Sequence, residues 1–90
     1  MKKIWTVEFD DAARKDFRKL DRSIQKKIEK YLEDNIATNK DPKRFGKALL
    51  ADKKGLWRYR VEDYRIICRI EEDKVIVLVL AIGHRKEIYD

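Results

Sequence analysis

Residues 56–89 contain three segments rich in β-branched and aromatic residues, and two short polar breaks separate them. The segments read LWRYRV, YRIICRIE and KVIVLVLAI, and each break is an acidic pair, ED. Segments of this kind joined by two-residue turns form antiparallel strands. We therefore predict a meander with strands at 56–61, 64–71 and 74–82, ended by Gly83. The last segment is apolar at odd and even positions alike, which predicts a central strand covered on both faces.

The first part of the chain predicts one strand and two helices. Residues 4–9 alternate, with Trp5, Val7 and Phe9 on one side, as in a strand with one face toward a core. Asp10 can cap a first helix over 11–20, and Asp21 or Ser23 can cap a second one. Apolar residues at helical spacing continue this second helix to residue 36. The short link predicts an antiparallel helical hairpin laid on one face of the sheet.

These elements predict a single α+β domain over residues 1–90, with a mainly antiparallel sheet of four strands. Residues 37–54 should form an ordered connector, because Pro42 and Gly46 break regular structure. We expect the apolar patch Ala48, Leu49 and Leu50 to anchor that connector to the sheet.

Charge and cysteine content limit the classes of partner and compartment. The chain carries 23 Lys and Arg against 17 Asp and Glu, a formal net charge of +6, which favours an acidic or polyanionic partner. The single cysteine, Cys68, excludes an internal disulfide and a cysteine-based metal cluster, so we expect a reducing, cytoplasmic setting. We expect neither a signal peptide nor a membrane span, since the longest apolar run, 75–82, is too short to cross a bilayer.

Arginines recur inside the predicted strands, and strand alternation sorts them onto one face. Trp57, Tyr59 and Val61 share one side of their strand, and Tyr64, Ile66, Cys68 and Ile70 share the matching side of the next. If these apolar sets pack against the helices, four arginines emerge together on the face turned away from the helices, called here the open face. They are Arg58, Arg60, Arg65 and Arg69, with Arg60 and Arg65 as cross-strand neighbours.

Like charges that face each other across a sheet are destabilising, so this cluster needs either carboxylate partners or a polyanionic ligand. Five acidic residues could supply the carboxylates: Glu62, Glu71, Glu72, Glu87 and Asp90. The other interpretation is a phosphate-binding surface, to which Lys53 and Lys54 would add charge. The lysines and arginines on the outer faces of the two helices are open to the same two interpretations.

The segment after the last strand brings three more polar side chains within reach of the open face. His84 is the one side chain here whose ordinary pKa lies near neutrality, Arg85 is a cation, and Tyr89 can stack on a base. His84 is either a local hydrogen-bonding residue or a proton-transfer group. Cys68 lies within a strand on the core side, which favours a small buried hydrophobe over a nucleophile. No phosphate loop, metal-binding histidine pair or nucleophile elbow is present in the sequence, so we expect no metal and no cofactor.

The order of these motifs resembles the RelE branch of the RelE/ParE superfamily, the toxins of type II toxin–antitoxin systems. The likeness covers nearly the whole chain and is strongest in WRYR at 57–60, DYR at 63–65 and GHRKEIY at 83–89. It implies a fold like that of microbial ribonucleases. It also implies metal-independent cleavage of mRNA in the ribosomal A site by attack of a ribose 2′-oxygen, and a cognate, RelB-like antitoxin.

Carried over by position, Arg65 and Arg85 match the family's phosphate-binding and transition-state arginines, and Tyr89 matches the tyrosine that orients the substrate nucleotide. Within this resemblance, His84 is the substitute that we expect to take base or acid duty in place of a lysine of the family, and Arg58, Arg60, Arg69, Lys53 and Lys54 would hold RNA. The best-known member has lysines where this chain has Arg58 and Arg60, and arginine, with a pKa above about 12, is a poor base. Two alternatives stay open: a ParE-like toxin that inhibits gyrase, and a non-catalytic module that binds RNA or protein.

Overall fold

The computed structural model describes residues 3–49 and 55–87, which form a mixed five-stranded sheet with two helices packed on it. The strands are β1 (Thr6–Phe9), β2 (Lys47–Ala48), β3 (Leu56–Val61), β4 (Tyr64–Glu71) and β5 (Ile76–His84). Their order across the sheet is β1-β5-β4-β3-β2, with β1 and β5 parallel and the other neighbours antiparallel. The predicted α+β class is confirmed. The two-residue strand β2 is an addition to the predicted four, and it is too short for alternation to reveal.

Side-chain caps define both helices, α1 (Asp11–Arg18) and α2 (Arg22–Tyr31). The Asp10 carboxylate accepts from the backbone N–H of Ala13 at 2.8 Å, as predicted, and Asp21, rather than Ser23, accepts from that of Ile24 at 3.0 Å. Such caps satisfy backbone donors that a helix start leaves without a partner. A π-helical turn, Leu32–Ile36, continues α2.

The core lies between the helices and one face of the sheet. Its buried residues come from both helices, the π-helical turn and strands β3 to β5. They are Ala13, Ile28, Leu32, Ile36, Tyr59, Val61, Ile66, Cys68, Ile70, Val77, Val79 and Ile82. The predicted apolar face of the meander is therefore confirmed. No helix among the described residues is long and apolar enough to cross a membrane.

The turns of the meander differ in length. The first is the predicted pair Glu62 and Asp63, with Glu62 at a φ of 54°. The second takes four residues, 72–75, because the N–H groups of Lys74 and Val75 donate to Glu71 and Glu72. The predicted start of the last strand at residue 74 is therefore wrong by two residues.

The last strand also differs from its prediction at its far end and on one face. It continues past Gly83 to His84. It lies inside the sheet, between β1 and β4. Val77 and Val79 are buried on the helix side, whereas Leu78 and Ala81 on the open face are half-buried, so the strand is not fully covered on both faces.

Backbone pairing of the predicted segment and aromatic side chains of β3 together anchor the connector, because Ala48 pairs with Trp57 and the Leu49 N–H donates to the Leu56 carbonyl. The Tyr59 hydroxyl donates to the Pro42 carbonyl at 2.7 Å, and the Trp57 indole N–H donates to the Phe45 carbonyl at 2.6 Å. Ala48 is exposed and Leu49 is half-buried, and Leu50 lies outside the described residues. The aromatic contacts have a chemical reason, because buried tyrosine and tryptophan must satisfy a polar atom, and the connector's carbonyl groups supply the acceptors.

Candidate functional site

The strand register places the four arginines of β3 and β4 on the open face. Arg60 pairs directly with Arg65, and Arg58 pairs with Ile67 on one side and with Lys47 of β2 on the other. Directly paired residues project to the same face of a sheet, and the opposite face of both strands is the buried core. The predicted placement of the four arginines on one face of the sheet is therefore confirmed. Lys47 joins this cluster, a member that the sequence pattern did not reveal.

The arginines differ in exposure, and one differs from expectation. Arg60 and Arg69 are exposed and Arg58 is half-buried, but Arg65 is only 8% exposed. Arg65 lies on β4, the middle strand of the five, between Arg60 on β3 and Gly83 on β5. The expectation that its side chain emerges from the protein is wrong, because neighbours on both sides of the middle strand cover the side chain, including the Nε and Nη1 atoms of its guanidinium.

The cluster divides along the strands. Arg60 and Arg65 pair next to the turn that joins β3 and β4, whereas Arg69 pairs with Leu56 at the other end of β3. Arg69 lies four positions after Arg65 along β4, which separates their Cα atoms by about 13 Å. The cations of the open face are therefore spread along the length of β4 rather than gathered at one point.

The carboxylates expected to neutralise the arginines have mixed partners. Glu71 lies beside Arg69, with 3.7 Å between Oε1 and Nε. Glu62 instead pairs with Lys27 at 2.6 Å, and Glu72 pairs with Lys43 at 2.5 Å, which raises the pKa of that lysine. These pairs are exposed, and such pairs contribute about 0–1 kcal/mol. Of these three carboxylates, Glu71 lies beside an arginine of the open face, and that arginine is Arg69.

Arg85 follows β5 and lies against the turn between β3 and β4. Its backbone N–H donates to the Asp63 carbonyl at 2.7 Å, and its Nε lies 3.7 Å from the Asp63 carboxylate. The guanidinium-bearing side chain is 55% exposed. Because Arg60 and Arg65 pair next to the same turn, the structure gathers Arg60, Arg65 and Arg85 at one end of the sheet.

His84 lies on the helix side of the sheet, so the prediction that it reaches the open face is wrong. It pairs directly with Tyr64, whose ring its imidazole contacts edge to face at a centroid distance of 5.4 Å. Together with Asp16 and Lys19 it lines a polar cleft of about 300 Å³ beside α1.

A register irregularity in β5 explains this placement of His84. Cys68 pairs with Val79 while the preceding Ile67 pairs with Ala81, so Leu80 is an extra residue. An inserted residue reverses the alternation of every side chain after it. Just beyond it, the backbone N–H of Ile82 donates to the Asp16 carboxylate at 3.0 Å, which ties the irregular segment to α1.

A cleft of about 260 Å³ opens beside Gly46, at the start of β2, next to the arginines. Arg58, Arg60 and Lys47 line one part of it, and Tyr31 of α2 lines another. Burial raises the pKa of Tyr31, so its hydroxyl stays a proton donor at neutral pH. The arrangement suits an anionic group that can also accept a hydrogen bond.

Cys68 belongs to the core, as predicted. It is fully buried, and burial raises the pKa of its thiol well above the ordinary value. A thiol that stays protonated is a poor nucleophile and a poor metal ligand. Across residues 3–49 and 55–87, no group of three or more His, Cys, Asp or Glu side chains could hold a metal ion.

We expect iodoacetamide to leave Cys68 unmodified in the folded protein, because the thiolate is the reactive form and burial suppresses it. As Cys68 is the single cysteine of the chain, the intact mass reports its modification directly. Urea above the unfolding midpoint should expose it and add one carbamidomethyl group per chain. Rapid modification without denaturant, at the rate of a free thiol, would contradict this placement.

Three residues of the predicted site, Lys53, Lys54 and Tyr89, lie outside the described residues. Their assigned roles stay predictions.

Comparison with known proteins identifies the family. The model of a family described as the ParE toxin of type II toxin–antitoxin system, parDE, matches residues 7–89. The chain belongs to this family. It is thus a toxin of the RelE/ParE superfamily, as its motifs predict.

Relatives of this toxin carry RelE-type names. It is 31% identical over 85 residues to Toxin RelG of Mycobacterium tuberculosis, covering 94% of this chain and 95% of the relative. Among solved structures, the RelBE2 toxin–antitoxin complex of M. tuberculosis contains a chain that is 29% identical with a TM-score of 0.81, covering 91% of this toxin and 92% of that chain. A chain of the Escherichia coli RelBE complex has a TM-score of 0.70 at 21% identity, covering 89% and 95%, and this likeness shows the fold alone.

Proposed function

We propose that this toxin is an endoribonuclease that cuts mRNA in the A site of the ribosome and so inhibits translation. The observation that carries the proposal is the gathering of Arg60, Arg65 and Arg85 at the end of the sheet next to the turn between β3 and β4. A net charge of +6 favours approach to RNA. The relatives named as toxins of this type support a toxin role.

The reaction is an attack of the ribose 2′-oxygen on the adjacent phosphorus, which breaks the bond to the 5′-oxygen of the next nucleotide. The 2′ proton must go to a base, and the leaving oxygen must receive a proton. Negative charge builds up on the non-bridging oxygens, where positioned cations lower the barrier. Arg65, buried in the middle strand, would add positive charge beneath the phosphate, and the exposed Arg85 suits a direct contact with the developing charge.

Arg58 and Arg60 serve in this proposal as phosphate ligands rather than bases. Arginine keeps its proton at neutral pH, and its planar group contacts phosphate through two parallel hydrogen bonds. Both line the cleft beside Gly46 together with Lys47, which extends the basic surface to the sheet edge. Tyr89 is proposed, from the resemblance alone, to orient the nucleotide.

We further propose a RelB-like antitoxin as the cognate inhibitor, since several solved relatives are toxin–antitoxin complexes. A groove between β1 and the helices offers apolar side chains to an amphipathic segment. Val7, Phe9 and Phe17 line one part of it, and Trp5 and Leu32 line the next. An apolar stripe of a partner helix would fit this groove, while acidic residues beside it could reach the basic face.

The second candidate is inhibition of DNA gyrase, and the observation that favours it is the ParE description of the matching family. A third is a non-catalytic RNA- or protein-binding role, which the absence of lysine at positions 58 and 60 favours. The gyrase candidate has no use for the cations gathered at the turn between β3 and β4.

One pair of assays separates the three functions. Purified toxin is added to ribosomes stalled on a defined mRNA, and primer extension locates any cut. The same preparation is added to a gyrase supercoiling assay. We expect cleavage at the A-site codon, no cleavage without ribosomes, and normal supercoiling. Intact mRNA with blocked supercoiling would establish the gyrase inhibitor, and no effect in either assay would favour the non-catalytic role.

A further inference from the structure

The residues after β5 form a reciprocally hydrogen-bonded turn. The Nδ1 atom of His84 accepts from the backbone N–H of Lys86 at 3.2 Å, and the Glu87 carboxylate accepts from the backbone N–H of His84 at 3.3 Å. The backbone N–H of Glu87 donates to the His84 carbonyl at 2.7 Å, which closes the turn. This is a variant of the capping box: the Glu87 carboxylate satisfies the cap residue's N–H as in the standard pattern, whereas the His84 side chain accepts from the second residue after it rather than the third.

The cap contact engages the imidazole of His84 on the side of the sheet away from the arginines. Nδ1 accepts the Lys86 N–H, and the ring also rests edge to face on Tyr64. Tyr64 and His84 are a directly paired couple on the helix side, opposite to the face that carries Arg60 and Arg65. A ring in this place cannot reach a phosphate that those arginines hold on the open face.

We propose that His84 is a positioning residue, which caps the turn at 84–87 and thereby holds Arg85 in place. Arg85 is the residue directly after the cap, and its backbone N–H reaches across to the Asp63 carbonyl. The cap contact at Lys86 and the hydrogen bond from the Arg85 N–H to the Asp63 carbonyl together restrict the backbone around Arg85. This role rests on the proposed function in so far as Arg85 contacts the scissile phosphate, but the cap itself is a property of the turn.

Two amide substitutions separate this role from proton transfer. In H84N the side-chain oxygen stands where Nδ1 stands, two bonds from Cβ, whereas in H84Q the amide stands where Nε2 stands. Neither amide transfers a proton at neutral pH. Asparagine is among the best cap residues and glutamine is a poor one. Each variant therefore places an amide at the position of a different imidazole nitrogen, Nδ1 in H84N and Nε2 in H84Q.

We expect H84N to cleave mRNA within about threefold of the wild-type single-turnover rate. H84Q should be slower by roughly 2- to 30-fold, the range that loss of a helix cap represents as a population ratio. Slow cleavage by both variants would indicate proton transfer and overturn the proposal. Slow cleavage by H84N with normal cleavage by H84Q would assign the role to Nε2. Normal cleavage by both variants would show that the cap is not needed. Either result would also overturn the proposal.

A second pair tests the other half of the turn without changing His84. Glutamine replaces glutamate well at the third position of a capping box, whereas alanine cannot accept a hydrogen bond. We expect E87Q to cleave like the wild type and E87A to lose activity to the same degree as H84Q. Equal activity of E87Q and E87A would contradict the reciprocal cap.

Backbone amide exchange measured by NMR tests the cap even if the toxin cuts no mRNA. The N–H of Lys86 should exchange faster in H84Q than in the wild type by about the same factor as the rate falls, and H84N should restore its protection. Unchanged exchange in H84Q would refute the cap. Failure of wild-type cleavage together with the expected exchange pattern would instead refute the proposed ribonuclease and leave the capped turn standing.

Discussion

Replacing Arg85 by alanine is expected to lower A-site cleavage by about 100- to 1,000-fold, the effect of removing one donor that stabilises transition-state charge. The fold should remain stable, because the side chain is 55% exposed and its contact with Asp63 is an exposed pair. The backbone bond to the Asp63 carbonyl survives the substitution. Single-turnover primer extension on stalled ribosomes measures the first effect, and thermal unfolding followed by circular dichroism measures the second.

Lys86→Ala is the matched control for Arg85→Ala. It removes the same charge one residue further along the same exposed turn and keeps the backbone N–H that the cap uses. We expect it to cleave at close to the wild-type rate. If both variants lose activity equally, the loss reflects overall charge rather than a specific contact, and the role of Arg85 is refuted. Arg65 offers no equally clean experiment, because it is buried and its removal disturbs the packing of the sheet.

Gly46→Ala is expected to lower the free energy of unfolding by about 2–5 kcal/mol. Gly46 has a φ of 75°, a conformation that costs other residues about 1–2 kcal/mol. An added Cβ would also overlap the Arg58 carbonyl oxygen and lie 2.7 Å from the Trp57 indole nitrogen. Because the first of these atoms is backbone, relief requires a shift of β3, and overpacking of this kind costs about 1–3 kcal/mol. Urea denaturation measures the change.

Gly55→Ala measures the cost of a positive φ without the steric overlap that an added Cβ meets at Gly46. Gly55 has a similar φ of 80°, but an added Cβ would meet its nearest atom, Arg69 Cγ, at 4.0 Å. We therefore expect a loss of about 1–2 kcal/mol from backbone strain alone. Equal destabilisation by the two substitutions would show that the close approach of Gly46 to β3 does not matter.

Local sequence patterns predicted most of the helices and strands, and also which face of the sheet each residue of β3 and β4 takes. Asp10 and Asp21 carry cap chemistry that acts within a few residues, so their helices begin where expected. Alternation in β3 and β4 is unbroken and their turn has two residues, so the Arg60–Arg65 pair was also predictable. The two-residue strand β2 gives no periodic signal. The anchoring of the connector by Tyr59 and Trp57 depends on carbonyl groups 17 and 12 residues away in the chain.

The sequence by itself determined the class of fold, the resemblance to the RelE/ParE superfamily and the cations on the open face, because each depends on short-range spacing. Only the tertiary structure decided which side of the sheet each later residue takes. In β5 the residues at odd and at even positions are both apolar, so no local pattern identifies Leu80 as the extra residue. The register is set instead by pairing with β4. That register moved His84 to the helix side, while the position of β4 in the middle of the sheet buried Arg65. Side-chain direction after an irregular strand pair is a property of the pairing, and the pairing forms between segments distant in the chain.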